Sequence, residues 1–347
     1  MAGNKPTTIK EIARKLKISP STVSRALNDH PSIGLVTTMR VKKMAEEMAY
    51  EPNQTAIFFK QRKTFTIGVI LPKLSEPFFS EARSEAIRVI ENVAEEKKYT
   101  VLLGQSLDDE NRELNIIQTF KKHRVDGILI SMSKNTGDTD FLELLAKTEI
   151  PIVFFDCVPD LEHVHKVYSD LASGMIEAIE AFVDRGHRKI ALINGPESLL
   201  ASKERAEAFQ NALEKKGIGA DSSFVVNTDL TEQGNEDAMD KICSLADRPS
   251  AVVSFNDFVT LDLIRYAKQR GIVLNQDMFF ISYANYPLWK YMDNPPMGSI
   301  EQYPEKQAQK AAEILFDCID KKEYTNKPQD VVFPSKLVGY RCLSNQD

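Results

Sequence analysis

Residues 8–28 read "TIKEIARKLKISPSTVSRALN". Ile9, Ile12, Ala13 and Leu16 recur at helical spacing on one face, and Val23, Ala26 and Leu27 do the same after an interruption of only "KIS". Neither short helix can bury its apolar face alone, so the two must cross at a steep angle and close a small core, with Ile18 filling the turn. Ser19 is a good N-cap, and Pro20 suits the first helical position, where a backbone N–H has no intrahelical partner. Pro20, Ser21, Thr22, Ser24, Arg25 and Asn28 are left facing outward. Short polar groups with one guanidinium suit a helix lying in a major groove. The pattern predicts a helix-turn-helix with "TTMRVKKMAEEMAY" (37–50) as a third helix; a generic three-helix bundle is the competing reading of the same residues.

Charge separates these readings. The 347-residue chain carries a net charge of -6, but residues 1–63 hold twelve Lys and Arg against five Asp and Glu. That segment is therefore +7 and the remainder -13. A basic head on an acidic body is the electrostatic footprint of a polyanion-binding module, although a solvated basic helix face has the same composition.

Beyond Pro52 the texture changes. Apolar runs "TIGVILP", "YTVLLGQ", "VDGILIS", "IPIVFFD", "KIALING", "FVVNT", "AVVSF" and "FFISYA" alternate with amphipathic helical stretches such as "EARSEAIRVIENVAEEKK" and "ASKERAEAFQNALEKKG". This alternation predicts parallel sheets covered by helices, and the number of strands predicts two lobes with a ligand cleft at the strand carboxyl ends. The fold class expected is an all-α helix-turn-helix head followed by a two-lobed α/β body.

Several chemistries lack their signatures. No G-x-G-x-x-G, G-x-x-x-x-G-K-[ST] or G-x-S-x-G stretch occurs, so no nucleotide cofactor and no serine nucleophile is expected. Cys157, Cys243, Cys318 and Cys342 lie far apart without C-x-x-C spacing, and "EHVH" (162–165) is a weak metal pattern. Asp156 and Asp170 follow apolar runs, where carboxylates bind ligand or cap the next helix more often than they catalyse. No apolar run spans a bilayer and the N-terminus lacks a signal-peptide pattern, so a cytoplasmic protein that is not an enzyme is expected.

The order T-I-K-E-I-A, S-x-x-T-V-S-R-A-L-N, Y-x-P-N and T-I-G-V-I resembles the lactose-repressor (LacI/GalR) family of bacterial transcription regulators. The likeness continues through "EPFF" (76–79), "RVDGILI" (124–130), "IPIVFFD" (150–156), "RGHRKIALINGP" (185–196) and "NPPMGSIEQ" (294–302). The resemblance implies a head at 1–52, a hinge helix and linker at 53–65 and an effector-binding, dimerising body at 66–347. Its first lobe would take in about 66–162 and 293–322, and its second about 163–292 and 323–347. The function implied is an operator-binding repressor controlled by a carbohydrate-related effector. An activator of the same family and a solute-binding protein are the alternatives. The partners implied are palindromic operator DNA, a small sugar-like molecule and a second copy of the chain, with no membrane. The C-terminus has no leucine heptads to build a tetramer.

Carried over residue by residue, the resemblance assigns DNA contacts to Thr8, Ser19, Pro20, Ser21, Thr22, Ser24, Arg25, Asn28, Asn53, Ala56, Phe59 and Lys60. Pro20 and Ser21 stand at the family's main base-reading positions, and Phe59 stands where relatives insert a leucine wedge into the minor groove. Effector contacts fall on Phe78, Phe79, Ser131, Asp156, Arg205, Leu230, Asn256, Asn285 and Gln302. The chain departs from the pattern at Gly34 and Thr38, where a Ser and an Arg are usual. It departs again in "SYANY" (282–286), where Ala284 replaces a carboxylate, and at Leu230, where an aromatic ring often stacks. An oligosaccharide, an acidic or phosphorylated sugar and a nucleoside all remain open as effectors.

Overall fold

The structure is a computed structural model that describes residues 7–50, 63–72, 77–107, 109–132, 150–219, 221–321 and 327–340. The chain forms two compact units, Met1–Lys63 and Thr64–Asp347.

In the first unit, α1 (Ile9–Leu16), α2 (Pro20–Leu27) and α3 (Leu35–Glu47) enclose a core of Ile12, Ala13, Val23, Ala26, Val41 and Ala45. Ile9, Leu16, Ile18 and Leu27 pack against it, as their helical spacing predicts. Thr8 and Glu11 close the start of α1, the Thr8 N–H donating to Glu11 Oε2 at 2.7 Å. Ser19 Oγ accepts from the Thr22 N–H at 3.0 Å and so caps α2, while Lys17 takes a left-handed conformation (φ 53°) that turns the chain between the helices. The third helix begins two residues earlier than "TTMR", at Leu35 behind Gly34.

The second unit contains two six-stranded sheets. The first is built from β1 (Thr66–Leu71), β2 (Thr100–Gln105), β3 (Gly127–Ile130), β4 (Ile152–Phe155), β5 (His165–Asp170) and β11 (Asp330–Pro334), in the order β11-β5-β4-β3-β1-β2. Every pairing in it is parallel. The second holds β6 (Ile190–Asn194), β7 (Val225–Asn227), β8 (Ala251–Ser254), β9 (Phe279–Tyr283), β10 (Gly298–Glu301) and β12 (Lys336–Gly339), in the order β12-β10-β9-β8-β6-β7. Only β12 runs antiparallel to its neighbour there. Among the described residues the helices are α4 (Pro77–Glu96), α5 (Glu110–Lys122), α6 (Ala172–Asp184), α7 (Leu200–Lys215), α8 (Glu232–Cys243), α9 (Asp257–Gln269) and α10 (Pro304–Lys321). Continuous apolar strands such as "IALIN" are wholly buried because helices cover both faces.

The lobe boundaries differ from the expected ones. His165–Asp170 and Asp330–Pro334 belong to the first sheet, and Gly298–Glu301 to the second. Backbone pairing decides this: β5 bonds to β4 on one side and β11 on the other, so each passage between sheets falls after a strand expected in the other lobe. The chain passes between sheets between Asp170 and Ala172, between Glu301 and Pro304, and at Ser335. Hydrogen bonds tie the first and last of these passages together and anchor the first to β9. Ser169 Oγ donates to the Phe333 carbonyl at 3.1 Å, the Gly174 N–H donates to Ser335 Oγ at 2.9 Å, and Tyr283 Oη donates to the Leu171 carbonyl at 2.8 Å. A Cβ on Gly174 would lie 2.2 Å from Ile300 Cγ2, so only glycine allows this approach.

Candidate functional site

On the head, Ser21, Arg25 and Asn28 form an exposed stripe at i, i+4 and i+7 along α2, with Ser19 and Pro20 exposed at its start and Thr22 and Ser24 half-buried beside it. Arg25 has no ion-pair partner among the described residues, so its guanidinium is available to a phosphate or a base. Asn28 Nδ2 donates back to the Ser24 carbonyl at 2.7 Å, and Thr8 Oγ1 lies 3.1 Å from Glu11 Oε2. Thr38, where the family pattern has an arginine, is buried. Asn53, Ala56, Phe59 and Lys60 lie outside the described residues. Phe78 and Phe79 fall on α4, and their side chains are likewise outside the described part.

In the body the carboxyl ends of neighbouring strands bring polar side chains together. Ser131, just past β3, is fully buried; its Oγ donates to Asp156 Oδ2 at 3.1 Å and accepts from the Cys157 N–H at 3.4 Å. Asp156 itself stands just past β4 in a left-handed conformation (φ 61°). Opposite, Arg205 on α7 is 5% exposed, its guanidinium carbon 4.3 Å from the centroids of both the Phe255 and the Tyr283 ring. Burial pulls its pKa below the ordinary arginine value, and Tyr283, Glu204, Cys157 and Asp156 pull it back. The last two place the strand ends of the first lobe within electrostatic reach of the second.

Arg205 Nε and Nη1 have no hydrogen-bond partner among the described residues. Nor do three other buried atoms around it: Asn256 Nδ2, Asn194 Oδ1 and Ser202 Oγ. Asn256 is divided in role, since its Oδ1 accepts from the Val259 N–H at 2.9 Å to cap α9 while its other end is left open. Asn194 Nδ2 donates to the Ser202 carbonyl at 2.8 Å, which fixes the amide with its oxygen free. Ser202 and Arg205 share a face of α7 by their i, i+3 spacing. A Cβ on Gly195 would meet the Phe255 ring at 2.6 Å and Ser202 Oγ at 2.9 Å, which binds the cluster into one locality. Buried polar atoms are nearly always paired, so five without a partner among the described residues make this cluster the candidate ligand-binding surface.

Two expected effector residues are placed differently. Both ends of the Asn285 amide are spent inside the protein, Nδ2 donating to Glu301 Oε2 at 2.9 Å and Oδ1 accepting from Tyr340 Oη at 2.7 Å. Leu230 (φ 67°) packs against the core cluster that includes Ile193 and Phe255 and presents no flat face for stacking. Gln302 stands on a passage between lobes, half-buried, its carbonyl accepting from Gln307 Nε2 at 2.7 Å. Asn194 and Ser202 were not anticipated; a polar residue ending an otherwise apolar run, as in "IALIN", was the available signal. Asp170 caps α6 through the Ala172 and Ser173 N–H groups. Among the described residues no group of three His, Cys, Asp or Glu could hold a metal ion, and no helix is long and apolar enough to cross a membrane.

A helix-turn-helix followed by a two-lobed α/β body with a polar cleft defines a ligand-responsive DNA-binding regulator. The sequence matches family models at both ends: bacterial regulatory proteins of the lacI family over residues 8–53, and the periplasmic binding proteins and sugar-binding domain of the LacI family over residues 64–340. The chain belongs to the LacI family. It is 31% identical over 327 residues to the transcriptional repressor PurR of Vibrio cholerae serotype O1, covering 92% of this chain and 94% of that protein. Catabolite control protein A of Priestia megaterium is 29% identical over 296 residues, covering 85% and 87%. The fold matches the Lac repressor dimer bound to operator and the anti-inducer ONPF (TM-score 0.83, 21% identity, 96% and 98% covered). It also matches the regulator CelR in complex with cellobiose (TM-score 0.70, 23% identity, 96% and 98% covered). These relatives are transcription regulators.

Proposed function

We propose that this protein is an operator-binding transcriptional repressor whose hold on DNA is set by a polyhydroxylated small molecule between the lobes of the body. The cluster of unpaired atoms on Arg205, Asn256, Asn194 and Ser202, opposite the Asp156 carboxylate, carries the reading. Guanidinium and amide donors on one side and a carboxylate acceptor on the other can grip several hydroxyls of one ligand. Such a ligand draws the lobes together, and the three passages that link the sheets among the described residues carry the movement.

DNA contacts are assigned to Thr8, Ser19, Pro20, Ser21, Thr22, Ser24, Arg25 and Asn28, with Asn53, Ala56, Phe59 and Lys60 at the operator centre. Pro20 offers only apolar contact and Ser21 hydrogen-bonds to more than one base, so discrimination at the outer half-site positions is modest. Two copies pair across apolar side chains that a monomer leaves in water: Leu102 and Leu103 on edge strand β2, with Leu107 just beyond, are 36%, 45% and 41% exposed. Selection of bound sequences from random DNA tests this reading. A palindrome of two half-sites is expected, with DNA bending that Phe59→Ala reduces; a single asymmetric site, or bending that Phe59→Ala leaves intact, contradicts it.

A further inference from the structure

The unpaired atoms around Arg205 are unbalanced in kind. Arg205 Nε, Arg205 Nη1 and Asn256 Nδ2 can only donate, Ser202 Oγ can do either, and Asn194 Oδ1 alone can only accept. No ion pair to Arg205 is present among the described residues; Glu204 and Asp156 act on it only through space. The residue after Tyr283, whose ring lies against the guanidinium, is Ala284, which brings no acceptor.

This imbalance constrains the ligand. A neutral hydroxyl that accepts from Arg205 or Asn256 still carries a proton that needs an acceptor, and among the described residues the cluster supplies only Asn194 Oδ1 and, where it is not itself donating, Ser202 Oγ. Each further hydroxyl turned toward these donors would leave its own O–H unpaired in a buried place, which is costly. A carboxylate or phosphate oxygen accepts without donating, and it also answers a guanidinium that has no counter-charge in contact among the described residues. The other side of the cleft asks for the reverse. Asp156 can only accept, so the ligand must present hydroxyls there and keep its negative group away.

The geometry points to an effector that is a polyhydroxylated acid, a sugar-like molecule with one anionic oxygen group held by Arg205, Asn256 and Ser202 and with its hydroxyls turned to Asp156 and Asn194. This rests on the effector site described above and narrows its ligand to a chemical class. Carboxylate and phosphate share the chemistry required, and the choice between them is made by experiment.

The test is isothermal titration of the full-length protein with gluconate, glucuronate, galacturonate and glucose 6-phosphate. Glucose, galactose, cellobiose and a nucleoside, adenosine, are run beside them. At least one acid is expected to bind about 100-fold more tightly than its neutral parent, the discrimination a charge-assisted pair supplies. The tighter of the carboxylates and the phosphate identifies the anionic group. Arg205→Lys, which keeps the charge but loses the planar donor array, should weaken that acid about 10-fold. Arg205→Met should bring acid and neutral parent to within about threefold of each other. The melting temperature of each unliganded variant shows that it is folded. If neutral compounds bind as tightly as every acid, or no acid binds at millimolar concentration, the anionic class is wrong. If such a neutral ligand is lost in Arg205→Met, the effector site itself stands. A ligand that binds Arg205→Met as well as it binds the parent overturns both the class and the site.

Discussion

Arg205→Met should stabilise the ligand-free protein. The substitution leaves an unbranched stem between the Phe255 and Tyr283 rings but removes a charge buried to 5% exposure. Two donors, Nε and Nη1, lack acceptors in the parent; unpaired buried groups cost about 1–3 kcal/mol each, and more when charged. Against this, two cation–π contacts are lost, at about 1–2 kcal/mol each where desolvated. Sulfur–aromatic contacts return about 0.3–1.5 kcal/mol. The balance favours Met by about 1–3 kcal/mol, the range found when buried charges give way to well-packed apolar groups. For a body of this size that is a rise of a few degrees in melting temperature. Calorimetry and urea denaturation of the unliganded protein measure it. A loss of more than about 2 kcal/mol would refute the reasoning, because it would mean that the guanidinium is fully satisfied without a ligand and is not held in reserve for one.

Other consequences follow from the same geometry. Arg25→Ala should weaken binding to operator and to unrelated DNA alike and lower the slope of log affinity against log salt by about one, measured by fluorescence anisotropy; an unchanged slope would remove Arg25 from the phosphate contacts. Asp257 is fully buried, and burial raises its carboxyl from 3.8 to about 6 despite hydrogen bonds from Ser282, Tyr286 and Ser299. The folded state therefore holds a proton that the unfolded state has released, and stability from this group is full below about pH 3.8 and lost as pH rises to about 6. The loss is on the order of 2–3 kcal/mol. Urea midpoints across this window should fall less in Asp257→Asn than in the parent, and parallel curves would contradict the assignment. Gly174→Ala drives a methyl to 2.2 Å from Ile300 Cγ2, and overpacking of this kind costs about 1–3 kcal/mol; an unchanged melting temperature would show that the passages between lobes are looser than described.

The head and the sheet cores were legible because their signals are local. "IKEIARKL" and "PSTVSRAL" carry helix period and caps within a few residues, and strands such as "GVIL" and "AVVS" are unbroken apolar runs because both faces are covered. His165–Asp170 was not legible as a strand. Its polar residues alternate with buried Val167 and Ser169, and only pairing with β4 and β11 makes it one. The lobe boundaries shifted for the same reason. In the candidate site, Arg205, Asp156, Ser131 and Asn256 were assigned through a resemblance in spacing, whereas Asn194 and Ser202 emerge only when α7 and β6 are placed side by side. Asn285 shows the opposite limit: it lies where a ligand residue was expected, but Glu301 and Tyr340, distant in sequence, take both ends of its amide.

The central claim is that occupancy of the cleft around Arg205 sets the affinity of the head for operator. Its most direct test is operator binding by the full-length protein and by Arg205→Met, each titrated with the effector identified by calorimetry. Operator affinity should be equal for the two proteins without effector, change about 10-fold or more with effector in the parent, and not change in Arg205→Met. An equal response in both proteins would contradict it.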